Sequence, residues 1–203
     1  MGLVRGISRT MAAAAFAALA FAAPAPAQFS DSYNFIKAVR DADGAKAMEF
    51  LNKPGAPALN TRDTATGETA LHIVVKRHDE TWLTYLLSLG AQTELKDRNG
   101  NTALITAAQL SDSDSVRVLL QYGARVNATN SGGETPLIIA VQRRDLASIR
   151  ALIQNGADPK IADHVTGKSA RDYASEDSRG SATLKMLDEA KPKPAIVMGP
   201  VRP

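Results

Sequence analysis

Three histidines, no cysteine and a scatter of carboxylates are all that this chain offers for metal or covalent chemistry. A protein metal site needs several donors held together, and His72, His78 and His164 are too dispersed in sequence to supply them. His72 falls at the opening of a predicted helix, where a structural hydrogen-bonding role is expected. His78 falls in a turn between helices and His164 in a loop. Asp112-Ser113-Asp114-Ser115 has the donor types of a hard-cation loop but lacks its glycine turn and terminal Glu. Helix capping by Ser113 or Asp114 is the expected role, with acids favoured near the positive end of a helix. Gly132-Gly133 is not followed by the Gly-Lys-Ser/Thr of a phosphate loop, and no serine lies in a nucleophile-elbow pattern. The absence of cysteine excludes a disulfide framework, a thiolate metal site and a cysteine nucleophile. No catalytic residue, metal or cofactor is predicted. Trp82, the sole tryptophan, opens a predicted helix and is expected to pack on the helices before it rather than on a ligand.

The elements that carry these side chains follow from composition. Apolar residues make up 44% of the 203 residues and aromatic ones only 5%. A core of Ala, Leu, Val and Ile favours closely packed helices over an aromatic, β-branched sheet sandwich. Lys and Arg number 24 against 21 Asp and Glu. If Arg5 and Arg9 are removed with a leader, 22 basic residues remain against 21 acidic, a net charge of +1. That balance argues against nucleic acid or an anionic membrane as partner.

A period of about 33 residues organises the middle of the chain. Gly67, Gly100 and Gly133 are spaced by it, and Gly167 follows one position late. Gly90, Gly123 and Gly156 form a second series, each followed by Ala. Leu71, Leu104 and Leu137 keep the same phase, as do Leu86, Leu119 and Leu152, and Leu87, Leu120 and Ile153. Each unit opens with Thr at an N-cap (Thr69, Thr102, Thr135), whose hydroxyl can satisfy an orphan N–H of the first turn. Pro136 suits a first helical position, where its missing N–H costs nothing. The second glycine series ends the second helix of each unit at positive φ. The first series marks a tight turn between units.

These motifs resemble the ankyrin-repeat family over about residues 32–190. They comprise the Thr-Pro/Ala-Leu opening at 69–72, 102–105 and 135–138, the paired leucines, and Gly-Ala after the second helix. The resemblance implies an all-α solenoid of helix–turn–helix units with projecting β-turn fingers. About three standard repeats are expected between two atypical capping repeats. The histidine of the family's opening remains only as His72, with Ile105 and Ile138 elsewhere, which removes its side-chain hydrogen bonds from two repeats. Residues 33–51 and 167–190 read as the caps, with second helix 182–190 in the last one and a polar outer face there.

The ends have a different composition. Arg5 and Arg9 precede an uncharged run from Met11 to Ala23, then Ala25-Pro26-Ala27, the order of a secretory signal peptide. That run is shorter than the roughly 20 residues of a membrane-spanning helix, so no permanent anchor is expected. A transit peptide is the alternative, but one would spread Arg along its helix. The expected domains are a signal peptide over 1–27, a repeat domain over 28–190 and a disordered Pro-rich tail over 191–203. The expected localisation is periplasmic or secreted.

The resemblance also implies where a partner binds: the finger tips and the exposed side of the first helices. At matched positions the fingers supply Thr66, Glu68, Lys96, Arg98, Asn99, Asn101, Ser131 and Glu134. The helix ends supply Lys76, Arg77, Gln109, Leu110, Gln142 and Arg143. Five basic residues against two acidic ones point to an acidic protein surface as partner. The expected function is a monomeric, non-enzymatic scaffold or regulator of another exported protein. An accessory factor that stabilises or delivers a cofactor to a partner enzyme is the alternative. Intact-mass measurement of the exported protein is expected to show a chain beginning at Gln28; one still beginning at Met1 overturns the signal-peptide assignment.

Overall fold

The computed structural model describes residues 31–53 and 57–189. These form five helix pairs: α1 (Asp31–Arg40) with α2 (Gly44–Leu51), α3 (Ala70–Lys76) with α4 (Glu80–Ser88), α5 (Ala103–Gln109) with α6 (Ser113–Gln121), α7 (Pro136–Arg143) with α8 (Leu146–Gln154), and α9 (Ala170–Glu176) with α10 (Ser181–Asp188). A 3-10 turn at Pro57–Asn60 precedes the first finger. The last helix spans Ser181–Asp188, not 182–190 as expected. The expected signal segment and the tail beyond Ala190 lie outside the described residues. Backbone pairing is confined to isolated bridges, Arg62 with Thr69 and Ala162 with Ser169, and the described residues contain no strand.

First helices pack in chain order, α1 on α3, then α5, α7 and α9; second helices do the same from α4 to α10. A single principal core results. Leu71, Leu104 and Leu137, and Leu86, Leu119 and Leu152, are all at most 2% exposed. Ile105 and Ile138, which stand where His72 stands in the first standard repeat, are fully buried. The indole of Trp82 lies so close to the start of α2 that a Cβ on Gly44 would come within 2.9 Å of its ring. It packs on the N-terminal cap, as expected.

Helix starts follow two rules. First helices are capped by hydroxyls: Thr102 Oγ1 accepts from Ile105 N–H at 3.3 Å and Thr135 Oγ1 from Ile138 N–H at 3.2 Å. The second helices α2, α4, α6 and α8 are capped by aspartate, whereas α10 starts at Gly180 without a side-chain cap. Asp43, Asp79, Asp112 and Asp145 accept from Lys46, Trp82, Ser115 and Ser148 N–H at 3.0, 3.0, 3.0 and 3.1 Å. The cap of α6 is therefore Asp112 rather than Ser113 or Asp114, which already belong to its first turn. The cause is the residue before each aspartate. Ala42, His78, Ser111 and Arg144 take φ of 62°, 53°, 55° and 57°, and this left-handed step reverses the chain so that the next residue caps. Such a step costs a non-glycine residue roughly 1–2 kcal/mol, and the cap offsets part of it.

The fingers are built on side-chain turns. Asp63 Oδ1 accepts from Ala65 and Thr66 N–H at 2.7 and 2.8 Å; Asp97 Oδ1 accepts from Asn99 and Asn101 N–H, both at 2.8 Å. Asn130 does the same for Gly132 and Glu134, at 2.9 and 3.0 Å, and Asp163 for Val165 and Thr166, at 2.8 and 2.6 Å. Each finger then bonds to the next. Arg98 N–H donates to Thr66 O (3.0 Å), Ser131 N–H to Asn99 O (3.1 Å) and His164 N–H to Gly132 O (2.8 Å). Gly67, Gly100 and Gly133 are obligatory there. Their φ values are 74°, 77° and 80°, and a Cβ would come within 2.9, 2.6 and 2.8 Å of the next finger's backbone nitrogen.

Leu119→Ala is expected to cost about 2–5 kcal/mol, the range for truncating a fully buried leucine; a chemical denaturation curve that stays put would contradict this packing. A second expectation concerns acid. The Arg40 guanidinium, aided by the turn N–H groups, holds the Asp63 carboxyl at about 2; the N–H of Thr166 leads the same effect at Asp163, also about 2. Because both lie below the ordinary value near 4 of the unfolded chain, their stabilisation is present above about pH 4 and is lost between about pH 4 and 2. Asp163→Asn keeps the turn acceptor, as Asn130 shows, but cannot titrate. Urea midpoints at pH 6 and pH 3 should therefore differ less for the variant than for the parent chain.

Candidate functional site

The inner strip runs along the fingers and first helices, and its two edges are set by helix length. Each first helix leaves its finger at the N-terminal end and finishes seven or eight residues later, about 12 Å away at 1.5 Å per residue. The finger residues Thr66, Lys96, Arg98, Asn99, Ser131 and Glu134 thus form one row. Lys76, Arg77, Gln109, Leu110, Gln142 and Arg143, at the ends of α3, α5 and α7, form the other.

Several of these residues act within the array. Glu68 and Asn101 are buried, at 7% and 6% exposure. Glu68 accepts from the Lys76 ammonium and, at 3.1 Å, from the Thr66 hydroxyl. Asn101 Oδ1 accepts from Gln109 Nε2 at 3.2 Å. Lys168 and Glu176 repeat the link in the last repeat at 2.6 Å. The same offset of eight residues ties finger base to helix end each time. Arg77 donates to Val39 O of α1 at 2.6 Å and pairs with Asp79 at 3.0 Å. It fastens the first standard repeat to the cap. The structure thus places Glu68 and Asn101 beneath the surface and holds Lys76, Arg77 and Gln109 from below.

What remains accessible is less neutral than the whole chain. Lys96 donates to the Thr129 carbonyl at 2.7 Å and Arg98 to the Thr64 carbonyl. Both are exposed, and among the described residues neither charge meets a carboxylate. Arg143 is exposed and, among the described residues, has no hydrogen-bond or ion-pair partner. Against these three cations stands Glu134, half-buried and accepting from Asn130 Nδ2 at 2.8 Å. Leu110, 41% exposed, lies between the charged helix ends.

The histidines occupy structural positions. Thr69 N–H donates to His72 Nδ1 at 3.2 Å, so Nε2 carries the proton and donates to Asn101 O at 2.9 Å. Burial depresses the imidazole's pKa, which keeps it neutral at pH 7. His78 Nδ1 lies 2.9 Å from Asp112 Oδ2, linking adjacent repeats. Among the described residues no three His, Cys, Asp or Glu converge as metal donors. A groove of about 420 Å³ separates the ends of α7 and α9. Its floor is the two-pronged Arg144–Asp177 pair (2.6 and 2.8 Å), which neutralises the charge within it.

Two sets of structural residues go unnoticed when the chain is searched for chemistry. One is the aspartate caps, though Asp79, Asp112 and Asp145 keep the repeat spacing openly. The other is the staples that hold each inter-repeat loop. Asn60, Glu94 and Asn127 side chains accept from Gln92, Arg125 and Asp158 N–H at 2.8, 2.8 and 2.9 Å. Their residue type changes from repeat to repeat, so only the contact identifies them.

Comparison with known proteins agrees with this architecture. The model of the family described as ankyrin repeats, three copies, matches residues 35–130 and 82–163. A search of curated proteins returns no match. The matched span holds the capped helix pairs and bonded fingers described above, and takes in more than half of the chain: it belongs to the ankyrin-repeat family.

Proposed function

We propose that this chain is a scaffold or regulator that holds another exported protein, one with an acidic surface, on the strip of fingers and first-helix ends. Ankyrin arrays are protein-binding modules, and that coarser role belongs to the family. The described residues contain no helix long and apolar enough to cross a membrane. The observation that supports an acidic partner is the charge left over once internal links are discounted. Lys76 is neutralised by Glu68 and Arg77 by Asp79, while Lys96, Arg98 and Arg143 meet no carboxylate among the described residues. Leu110 gives the strip an apolar spot beside those charges. Export rests on the composition of the segment from Met1 to Ala27 and makes the partner a protein of the same compartment.

The repeat rungs and caps hold this strip with little freedom, so binding entails little ordering of the backbone. Long-range attraction between Lys96, Arg98, Arg143 and an acidic surface raises the association rate and is screened over about 8 Å at physiological salt. A charge-reversed Arg98→Glu/Arg143→Glu chain should keep its helical spectrum. Its affinity for the partner captured from the envelope fraction should fall roughly tenfold at low salt, about 1.4 kcal/mol. The difference should shrink as salt rises. Unchanged affinity at low salt, together with weakening by substitutions on the second helices, would move the site to the opposite face.

A further inference from the structure

Two asparagines of this chain precede glycine, Asn99 before Gly100 and Asn155 before Gly156. Such a pair can rearrange without an enzyme. The glycine backbone nitrogen attacks the asparagine Cγ and closes a five-membered imide. The side-chain nitrogen leaves as ammonia, carrying the proton that the glycine nitrogen gives up. Water then opens the imide. Attack at Cγ leaves aspartate; attack at the main-chain carbonyl leaves isoaspartate, with an extra methylene in the main chain. Either product bears a new carboxylate. Glycine suits the reaction because it has no side chain to hinder the approach.

The fold treats the two pairs differently. Asn155 caps the end of α8, and its Nδ2 donates to the Ala151 carbonyl at 2.8 Å. Its backbone N–H bonds to the carbonyls of Ala151 and Leu152 at 3.2 and 3.1 Å, and Gly156 N–H to Ile153 O at 2.9 Å. Leaving group and attacking nitrogen are thus both fastened to the last turn of a helix. Asn99 stands at the tip of the second finger. It is exposed, and its side-chain amide has no hydrogen-bond partner among the described residues. Only the attacking nitrogen is restrained there, because Gly100 N–H donates to Asp97 O at 3.1 Å. The turn that makes this bond depends on the Asp97 carboxylate, which accepts from Asn99 and Asn101 N–H, both at 2.8 Å. Thr66, Gly132 and Thr166 stand at the position of Asn99 in the other fingers and have no amide to lose.

We propose that Asn99 is a self-modification site, converting to aspartate and isoaspartate through Gly100, with the Asp97 turn as the restraint that sets its rate. The product acts on the rung beside it. The Asn99 carbonyl accepts Ser131 N–H at 3.1 Å, and in isoaspartate that oxygen leaves the main chain for a free carboxylate. A negative charge also enters beside Arg98, on a strip whose accessible surplus is positive. Its effect on a partner rests on that strip being the binding face; the chemistry at Asn99 does not.

The test is peptide mapping by mass spectrometry of the full folded chain, aged at mildly alkaline pH in ordinary and in oxygen-18 water. Beside it run Asp97→Ala, Asn99→Gln and the parent chain unfolded in urea. The peptide holding Asn99 should show the mass gain of amide-to-acid conversion, larger by the isotope shift in enriched water. It should do so roughly tenfold faster than the peptide holding Asn155, the factor that one further hydrogen bond gives. Asp97→Ala, with its helical spectrum unchanged, should speed the reaction at Asn99 and leave Asn155 as it was. Asn99→Gln, which needs a larger ring, should remove the reaction at that site. In urea the two pairs should react at like rates, because the fold no longer separates them. A folded chain in which Asn155 reacts as fast as Asn99 overturns the proposal, as does a preference for Asn99 that persists in urea. A folded Asp97→Ala chain that reacts no faster at Asn99 overturns it too, since the turn is then not the restraint. If that variant loses its helices, the folded parent and its urea control still decide.

Discussion

Each finger gives one backbone N–H to the carbonyl of the finger before it, and that bond requires a residue without Cβ at the end of the turn. Arg98 to Thr66, Ser131 to Asn99 and His164 to Gly132 are separated by 2.8–3.1 Å. At Gly67, Gly100 and Gly133 any side chain would sit within bonding range of the next backbone. The glycine is demanded twice over, by positive φ and by close approach, so its spacing is the spacing of the repeats. The rung also fixes the rise from one repeat to the next, which sets how the leucines of neighbouring helices meet.

Helix pairs this short cannot hold themselves. The first helices have seven or eight residues in the standard repeats, well under the length at which an isolated helix is stable in water. Hydroxyl caps on first helices and aspartate caps on the second helices α2, α4, α6 and α8 satisfy the orphan N–H groups at the starts. Burial of both leucine series against the adjacent repeats supplies the remainder. Stability is thereby a nearest-neighbour property, and the two ends need separate solutions. At the N-terminus, α1 and α2 cover α3, with Trp82 filling the space beside Gly44 and Arg77 bonding to Val39 O. At the C-terminus, α9 and α10 cover α7 and α8.

The partner strip inherits its charge from this arrangement. Carboxylates near it are largely consumed: Glu68 by Lys76, Asp79 by Arg77 and the second helix, Asp97 by its own finger. Among the described residues the cations at the finger tips, Lys96 and Arg98, find only carbonyls, because Asp63, Asp97 and Asp163 accept from the N–H groups of their own turns. A nearly neutral chain therefore shows a positive strip. Ankyrin repeats are protein-binding modules; the surplus of Lys96, Arg98 and Arg143 is the physical reason for proposing that the partner meets this strip and is acidic.

Periodicity determined the repeat boundaries, the buried leucines and both glycine series, because each recurs at a fixed offset and has one physical meaning; composition pointed to helices, and the resemblance to ankyrin repeats supplied the solenoid. The caps of the second helices were equally periodic, yet the acidic residues of 112–115 do not show which one caps until the left-handed step at Ser111 places Asp112 at the helix start. Residue type also could not separate surface from interior on the candidate strip. Glu68 and Asn101 are polar and occupy finger positions, but the tertiary structure turns them inward onto Lys76 and Gln109. Nor could composition distinguish a charge that is free from one that is answered, since the carboxylate answering Lys76 is Glu68, eight residues away at the other end of α3. A local pattern reports what recurs along the chain; pairing across a turn or between repeats depends on three-dimensional distance, and only the folded array decides it.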